Sequence, residues 1–167
     1  LARHRHRSWV CKMRPCPESD TLQRITTITN LPGIPDAMNH PAPTRVHYRN
    51  GQLHLEDCSL GDIARRFGTP CYVYSRAALT VAYHDYRQVL QGHDALICYA
   101  VKANANLAIL NLFARLGAGF DIVSGGELQR VLVAGGDPGK VVFSGVGKSR
   151  SDIEQALRAG IHCFNVE

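Results

Sequence analysis

Tyr99-Ala100-Val101-Lys102-Ala103-Asn104 closes an apolar run that begins at Ala95, and the reading of its lysine decides the fold. Ala95 to Val101 is short, uncharged and bounded by polar residues, the pattern of a strand buried on both faces. Lys102 is expected as the last residue of that strand. With a side-chain period of two, Cys98, Ala100 and Lys102 share one face, and Tyr99 and Val101 the other. A lysine leaving a buried strand is costly unless its ammonium is paired, neutralised or used covalently, because desolvation disfavours the charged form. Such a place suits a Schiff-base lysine, which reacts as the free amine. Position alone is also satisfied by a lysine that reaches solvent along its own methylenes, the commoner use of such a residue.

Downstream of this strand the pattern repeats. Asn106 is expected to cap a helix whose Leu107, Leu110 and Phe113 face inward, with Gly117 ending it. Phe120 to Val123 reads as the next strand, and Ser124-Gly-Gly-Glu127 as a capping box opening a helix with Leu128, Val131 and Leu132 as its apolar stripe. A strand at Val141 to Phe143, a second capping box at Ser151-Asp-Ile-Glu154 and a strand at Ile161 to Val166 follow. One helix between each pair of strands demands parallel strands joined by right-handed crossovers. Doubly wound sheets and (β/α)8 barrels both satisfy this. A barrel needs eight such units, and the chain supplies about four of them. The fold class is therefore α/β, with about the first half of a (β/α)8 barrel. Functional groups of a parallel barrel gather at the C-terminal ends of its strands, where Lys102, Asp121 to Ser124, Ser144 to Lys148 and Asn165 to Glu167 lie.

Upstream, Ser75 begins a helix with Leu79, Ala82, Tyr86, Val89 and Leu90 on one face. Thr69 to Tyr74 is an extended link. Ser59 caps a short helix from Leu60 to Phe67, closed by Gly68. Val46 to Leu55 alternates around Asn50-Gly51, a two-residue hairpin signal. Residues 1–37 show no sustained apolar period and are expected to lie outside the fold, with Met38 as the natural start. The chain then divides into an extension at 1–37, strands and a link at 38–74, and the half-barrel at 75–167.

The lysine stretch, Gly117-Ala-Gly-Phe-Asp-Ile-Val-Ser-Gly-Gly-Glu127, Val141-Val-Phe-Ser-Gly-Val-Gly-Lys-Ser149 and Cys163-Phe-Asn-Val-Glu167 stand in a fixed order and spacing. From about Val46 onward they resemble the lysine region of the alanine racemase-like barrel enzymes that use pyridoxal 5′-phosphate (PLP), and among these its decarboxylases. The resemblance implies that Lys102 forms a Schiff base with PLP and later handles the proton at the substrate's α-carbon. It implies that Asp121 lies beside the cofactor and that Ser144 and Lys148 line the pocket; an ordinary strand-end aspartate would explain Asp121 as well. Glu127 already has a structural role in its capping box. The implied reaction is decarboxylation of meso-2,6-diaminopimelate to L-lysine. Ornithine, arginine or a carboxylated polyamine are the alternative substrates, and a noncatalytic PLP-binding module is the alternative class. The hairpin would belong to a second β domain completed beyond residue 167, as would the phosphate loop and much of a homodimer contact. A half-barrel has open strand edges, so the 167-residue chain alone is expected to be inactive and poorly stable.

Composition excludes several other classes. The net charge of +5 is uneven: Lys and Arg outnumber Asp and Glu six to three in residues 1–37 but only thirteen to eleven in 38–167. The basicity is thus largely a tail effect and no argument for nucleic acid. No apolar run approaches the roughly 20 residues of a membrane helix. Six irregularly spaced cysteines form no disulfide framework and indicate a reducing, cytoplasmic compartment, and the two in strand-like runs, Cys98 and Cys163, read as small buried hydrophobes. His4, His6, Cys11 and Cys16 match no zinc module, so no metal is expected. Gly145-Val-Gly-Lys-Ser149 lacks the first glycine of a phosphate-binding P-loop, and Gly117-Ala-Gly119 precedes a strand, so neither is a nucleotide motif.

Overall fold

The computed structural model describes residues 9–13, as backbone, and 46–166. In chain order its elements are β1 (Trp9–Met13), β2 (Val46–Arg49), β3 (Gln52–Leu55), β4 (Cys58–Ser59), α1 (Leu60–Phe67), α2 (Arg76–Val89), β5 (Ala95–Ala100), α3 (Leu107–Arg115), β6 (Gly119–Ile122), α4 (Gly125–Val133), β7 (Val141–Phe143), α5 (Arg150–Ala159) and β8 (Cys163–Phe164). The chain separates into two compact units, residues 32–89 and residues 1–31 with 90–167. The expected start at Met38 and the His4, His6 and Cys16 positions lie outside the described residues.

In the first unit β2 and β3 pair antiparallel, and β4 adds to β3. Asn50 and Gly51 both take positive φ, 53° and 76°, as a tight two-residue hairpin requires. Ser59 caps α1 by accepting the Asp62 N–H. Ser75 accepts the Ala78 N–H at 2.9 Å, and Glu56, just after the hairpin, accepts the Ala77 N–H at 3.0 Å. A carboxylate at a helix N-terminus satisfies orphan donors and complements the dipole. Along α2 the buried residue is Tyr83, while the expected seam of Leu79, Ala82, Tyr86 and Val89 is only half covered.

The second unit is a sheet in the order β1-β5-β6-β7-β8. From β5 to β8 the strands are parallel and follow chain order without reversal. Each crossover carries one helix, as in a singly wound barrel and unlike a doubly wound sheet, whose strand order reverses at a switch point. The core between strands and helices is made by Cys98, Val101, Leu110, Phe113, Phe120, Ile122, Leu128, Val131, Val141 and Phe143, each fully buried. Asn106 caps α3, and α3 ends through Gly117 at φ 83°, whose N–H bonds the Ala114 carbonyl while that of Ala118 reaches Phe113. Ile109, not Leu107, joins Leu110 and Phe113 in the core. Leu132 of α4 is likewise exposed.

Three expectations are corrected. The strand ends at Ala100, and Val101–Ala103 is a 3-10 turn closed by the Asn104 N–H on the Val101 carbonyl, so the alternation does not reach Lys102. The capping box of α5 is Ser149 with Asp152, not Ser151 with Glu154; the helix opens at Arg150, and Glu154 instead pairs with Arg150 and Arg158. In α4, Ser124 accepts the Glu127 N–H, but the Glu127 carboxylate bonds the Val123 N–H at 2.7 Å, one residue outside a true box. In addition, Trp9–Met13, within the segment expected outside the fold, runs antiparallel to β5 from Trp9 opposite Tyr99 to Met13 opposite Ala95. An unpaired strand edge can bond any extended backbone and asks no apolar period of it.

Candidate active site

The C-terminal ends of β5, β6, β7 and β8 form one rim, and the residues singled out in the sequence lie along it. Lys102 stands in the 3-10 turn after β5. That turn is fixed from both sides. The Tyr99 hydroxyl donates to the Asn104 carbonyl at 3.1 Å while its ring stacks on Phe113, centroids 4.4 Å apart, and Asn104 Oδ1 accepts the Asn106 N–H at 2.9 Å. Val101 is wholly buried and Lys102 exposed. The desolvation expected at Lys102 is therefore absent. Its amine makes no hydrogen bond or ion pair with any described residue, whereas the backbone that carries it is held rigidly.

Asp121 lies one strand away. In the register of β5 with β6 it is opposite Ala100, two residues before the lysine, and it is 7% exposed. Ser144 follows β7, its N–H donating to the Ile122 carbonyl at 2.8 Å and its Oγ accepting from Asn165 Nδ2 at 2.8 Å. Lys148 donates to the Asn165 carbonyl at 2.7 Å and to the Gly145 carbonyl, and its ammonium lies 5.6 Å from the Phe143 ring centroid. Gly145 is pressed on β6: a Cβ there would fall 2.5 Å from the Val123 carbonyl oxygen. Asp152 joins neighbouring loops, taking the Ser149 N–H and hydroxyl on one oxygen and the Gly125 N–H at 3.0 Å on the other. Those bonds, Ser149's hydroxyl foremost, lower its carboxyl below the ordinary aspartate value. Glu167 lies outside the described residues.

The rim thus sets Lys102, in the turn after β5, next to the strand that carries Asp121 and gives Ser144 a fixed hydroxyl two strands from β5, while Lys148 is engaged with main-chain carbonyls. The bonds that Asn165 and Asp152 make were not foreseen from the sequence, although Asn165 was expected on this rim. The Ser149-x-x-Asp152 spacing was a signal for the second; nothing local marked the partner of the first, which is 21 residues away. Chemically, an amine with no partner on a rigid turn can attack a carbonyl carbon, and the rim's hydroxyl and lysine suit an anionic substituent. An aldehyde bearing a phosphate fits this donor set. Among the described residues no group of three or more potential ligands could hold a metal ion.

Comparison with known proteins agrees with this chemistry. Residues 76–167 match the family model "Pyridoxal-dependent decarboxylase, pyridoxal binding domain". The chain is 62% identical over 120 residues to diaminopimelate decarboxylase of Pseudomonas aeruginosa, covering 72% of this chain and 29% of that protein. Among solved structures, AQ1208 from Aquifex aeolicus superposes with a TM-score of 0.71 at 44% identity, over 75% of this chain and 31% of the other. Diaminopimelate decarboxylase from M. jannaschii in complex with L-lysine gives 0.66 at 35% identity, over 72% and 29%. The chain therefore spans less than a third of the length of these relatives, and its parallel unit is part of their barrel. It belongs to the pyridoxal-dependent decarboxylases, residues 76–167 being part of their pyridoxal-binding domain.

Proposed function

We propose that the protein carrying this chain is a PLP-dependent carboxy-lyase that converts meso-2,6-diaminopimelate to L-lysine and carbon dioxide, with Lys102 as the point of covalent attachment. The observation that carries the reading is the Lys102 amine, without a partner among the described residues, on a rigid turn one strand from buried Asp121. The substrate follows from the relatives, whose printed names are diaminopimelate decarboxylase. When bound, the cofactor supplies an electron sink for the charge left at the α-carbon as carbon dioxide departs.

The chain's own residues do the rest. Lys102 holds the cofactor and moves the proton at the α-carbon. Asp121 sets a carboxyl beside it and orders the polar groups of the rim. Ser144 binds from the far side. Glu127, bonded to Val123, is a structural residue. The complete protein acts as a cytoplasmic homodimer on a small amino acid, without nucleic acid or membrane. Supporting this are its buried Cys98, a basic charge concentrated outside the half-barrel, and the absence, among the described residues, of a helix long and apolar enough to cross a membrane.

The test is to incubate the full-length protein with PLP, reduce with borohydride and map the modified peptide, and separately to assay carbon dioxide release. Label at Lys102 alone and release from meso-diaminopimelate are expected. Scattered or absent label would remove Lys102 from its role. Release from ornithine or arginine but not diaminopimelate would change the substrate.

A further inference from the structure

The Ser144 hydroxyl has one proton and two lone pairs to offer. Asn165 Nδ2 occupies a lone pair at 2.8 Å, and no described residue accepts the proton. The main chain that carries this amide is held in place. The Asn165 backbone N–H donates to the Phe143 carbonyl at 2.9 Å, and the Asn165 backbone carbonyl takes the Lys148 ammonium at 2.7 Å. Lys148 meets only carbonyls and the face of Phe143 among the described residues, with no carboxylate to neutralise it. This corner of the rim therefore pairs a donor with an available proton and a half-buried positive charge that lacks a counter-charge there.

We propose that Asn165 is a positioning residue that fixes Ser144 as a hydrogen-bond donor, and that the partner of Ser144 is an anionic oxygen, of the cofactor's phosphate or of the substrate's carboxylate. A donor aimed by its neighbour favours an acceptor-only ligand, and the Lys148 charge adds a preference for a negative one. The inference rests on the reading that this rim holds PLP at Lys102. It goes further in stating which polarity Ser144 presents and which residue sets it.

The test compares Ser144→Ala, Asn165→Asp and the double variant in the full-length protein. Asn165→Asp keeps the shape but reverses the bond, since a carboxylate draws the Ser144 proton to itself. Three readouts are taken: absorbance titration with PLP, the same titration with pyridoxal, which lacks the phosphate, and KM for meso-diaminopimelate in the loaded enzyme. A lost hydrogen bond to a charged group predicts about a tenfold or greater loss for Ser144→Ala. An equal loss is expected for Asn165→Asp, with no further loss in the double variant, because both act through one hydroxyl. Melting temperatures should be alike.

Loss with PLP but not pyridoxal assigns the phosphate. A raised KM at unchanged PLP affinity assigns the carboxylate. If Ser144→Ala leaves all three readouts at wild-type values while Lys102 is still labelled, this inference falls and the function stands. If Asn165→Asp weakens binding equally whether residue 144 is serine or alanine, charge repulsion explains it and the positioning role falls. Absence of label at Lys102 in the wild type would remove the function and the inference together.

Discussion

Lys102, proposed as the point of covalent attachment, is distinguished by what it does not touch among the described residues. Its side chain is exposed and its ammonium meets no described residue, while Tyr99, Asn104 and Asn106 lock the turn beneath it. An amine so placed needs no partner broken before it reacts, and a fixed base cuts the entropy of bringing it to a ligand. Lys102→Arg keeps the charge but lacks a usable nucleophile. We expect it to abolish borohydride-stable PLP labelling and to lower decarboxylation in the full-length protein by roughly four or more powers of ten, as loss of a covalent residue does. A residual rate within tenfold of wild type would show that another residue carries the chemistry. Gly145 is constrained in the opposite way, by crowding. An added methyl group would sit 2.5 Å from the Val123 carbonyl oxygen, a backbone atom that cannot swing aside. Gly145→Ala should cost about 1–3 kcal/mol in denaturant unfolding of the full-length protein, the usual range for overpacking. No change in midpoint would mean that the loops after β6 and β7 move independently.

At the scale of single elements, α5 shows what the sequence could and could not specify. Ser149-Arg-Ser-Asp152 and Ser151-Asp-Ile-Glu154 both carry the capping-box spacing, the second with the usual glutamate, and the sequence reading took only the second. The helix opens two residues earlier, where Asp152 can also take the Gly125 N–H from α4. That second bond is a tertiary contact and leaves no local trace. Ser149→Ala should therefore cost about 1 kcal/mol, as loss of a cap does, whereas Ser151→Ala should be near neutral; chemical denaturation of the two variants distinguishes the registers. The pH dependence has a definite sign. The Asp152 carboxyl is lowered in the folded chain, chiefly by Ser149, so its contribution is fully present above the unfolded aspartate value of about 3.9 and is lost as pH falls through the lower folded value. Asp152→Asn should flatten that acid limb in a melting series while leaving the neutral range level. Other elements were legible because their signals are local: the positive-φ hairpin at Asn50-Gly51, the caps at Ser59 and Asn106, and the glycine stop at Gly117. The end of β5 was not, since the apolar run continues through the fully buried Val101 although the backbone has already turned into the 3-10 segment there. The bond of Asn165 to Ser144 was illegible for the same reason as that of Asp152 to Gly125: each partner lies in a distant part of the chain.

On the scale of the whole molecule, the parallel strands run in chain order from β5 to β8, and such a series becomes a barrel only when its two outer edges are joined through further strands. In this chain the outer edge of β5 carries β1, antiparallel, from Trp9 opposite Tyr99 to Met13 opposite Ala95. A closing strand of a (β/α)8 barrel would need the same backbone groups of β5, in parallel pairing. One edge cannot serve both, because each N–H and carbonyl of β5 has a single direction in which to bond. β1 is therefore expected on β5 only while the barrel is open, and should be displaced when the protein has the full length of its relatives. Hydrogen exchange tests this directly. In the 167-residue chain the amides of residues 9–13 should be protected along with those of β5. In the full-length protein, if it retains the same N-terminal segment, protection of β5 should persist and that of 9–13 disappear. Persistent protection of both would mean that the barrel closes elsewhere or that β1 pairs with a different edge. The outer edge of β8 has no such cover among the described residues, so the isolated chain should also self-associate with rising concentration in sedimentation velocity and show no decarboxylase activity. A concentration-independent monomer with measurable carbon dioxide release would show instead that half a barrel can hold a working site.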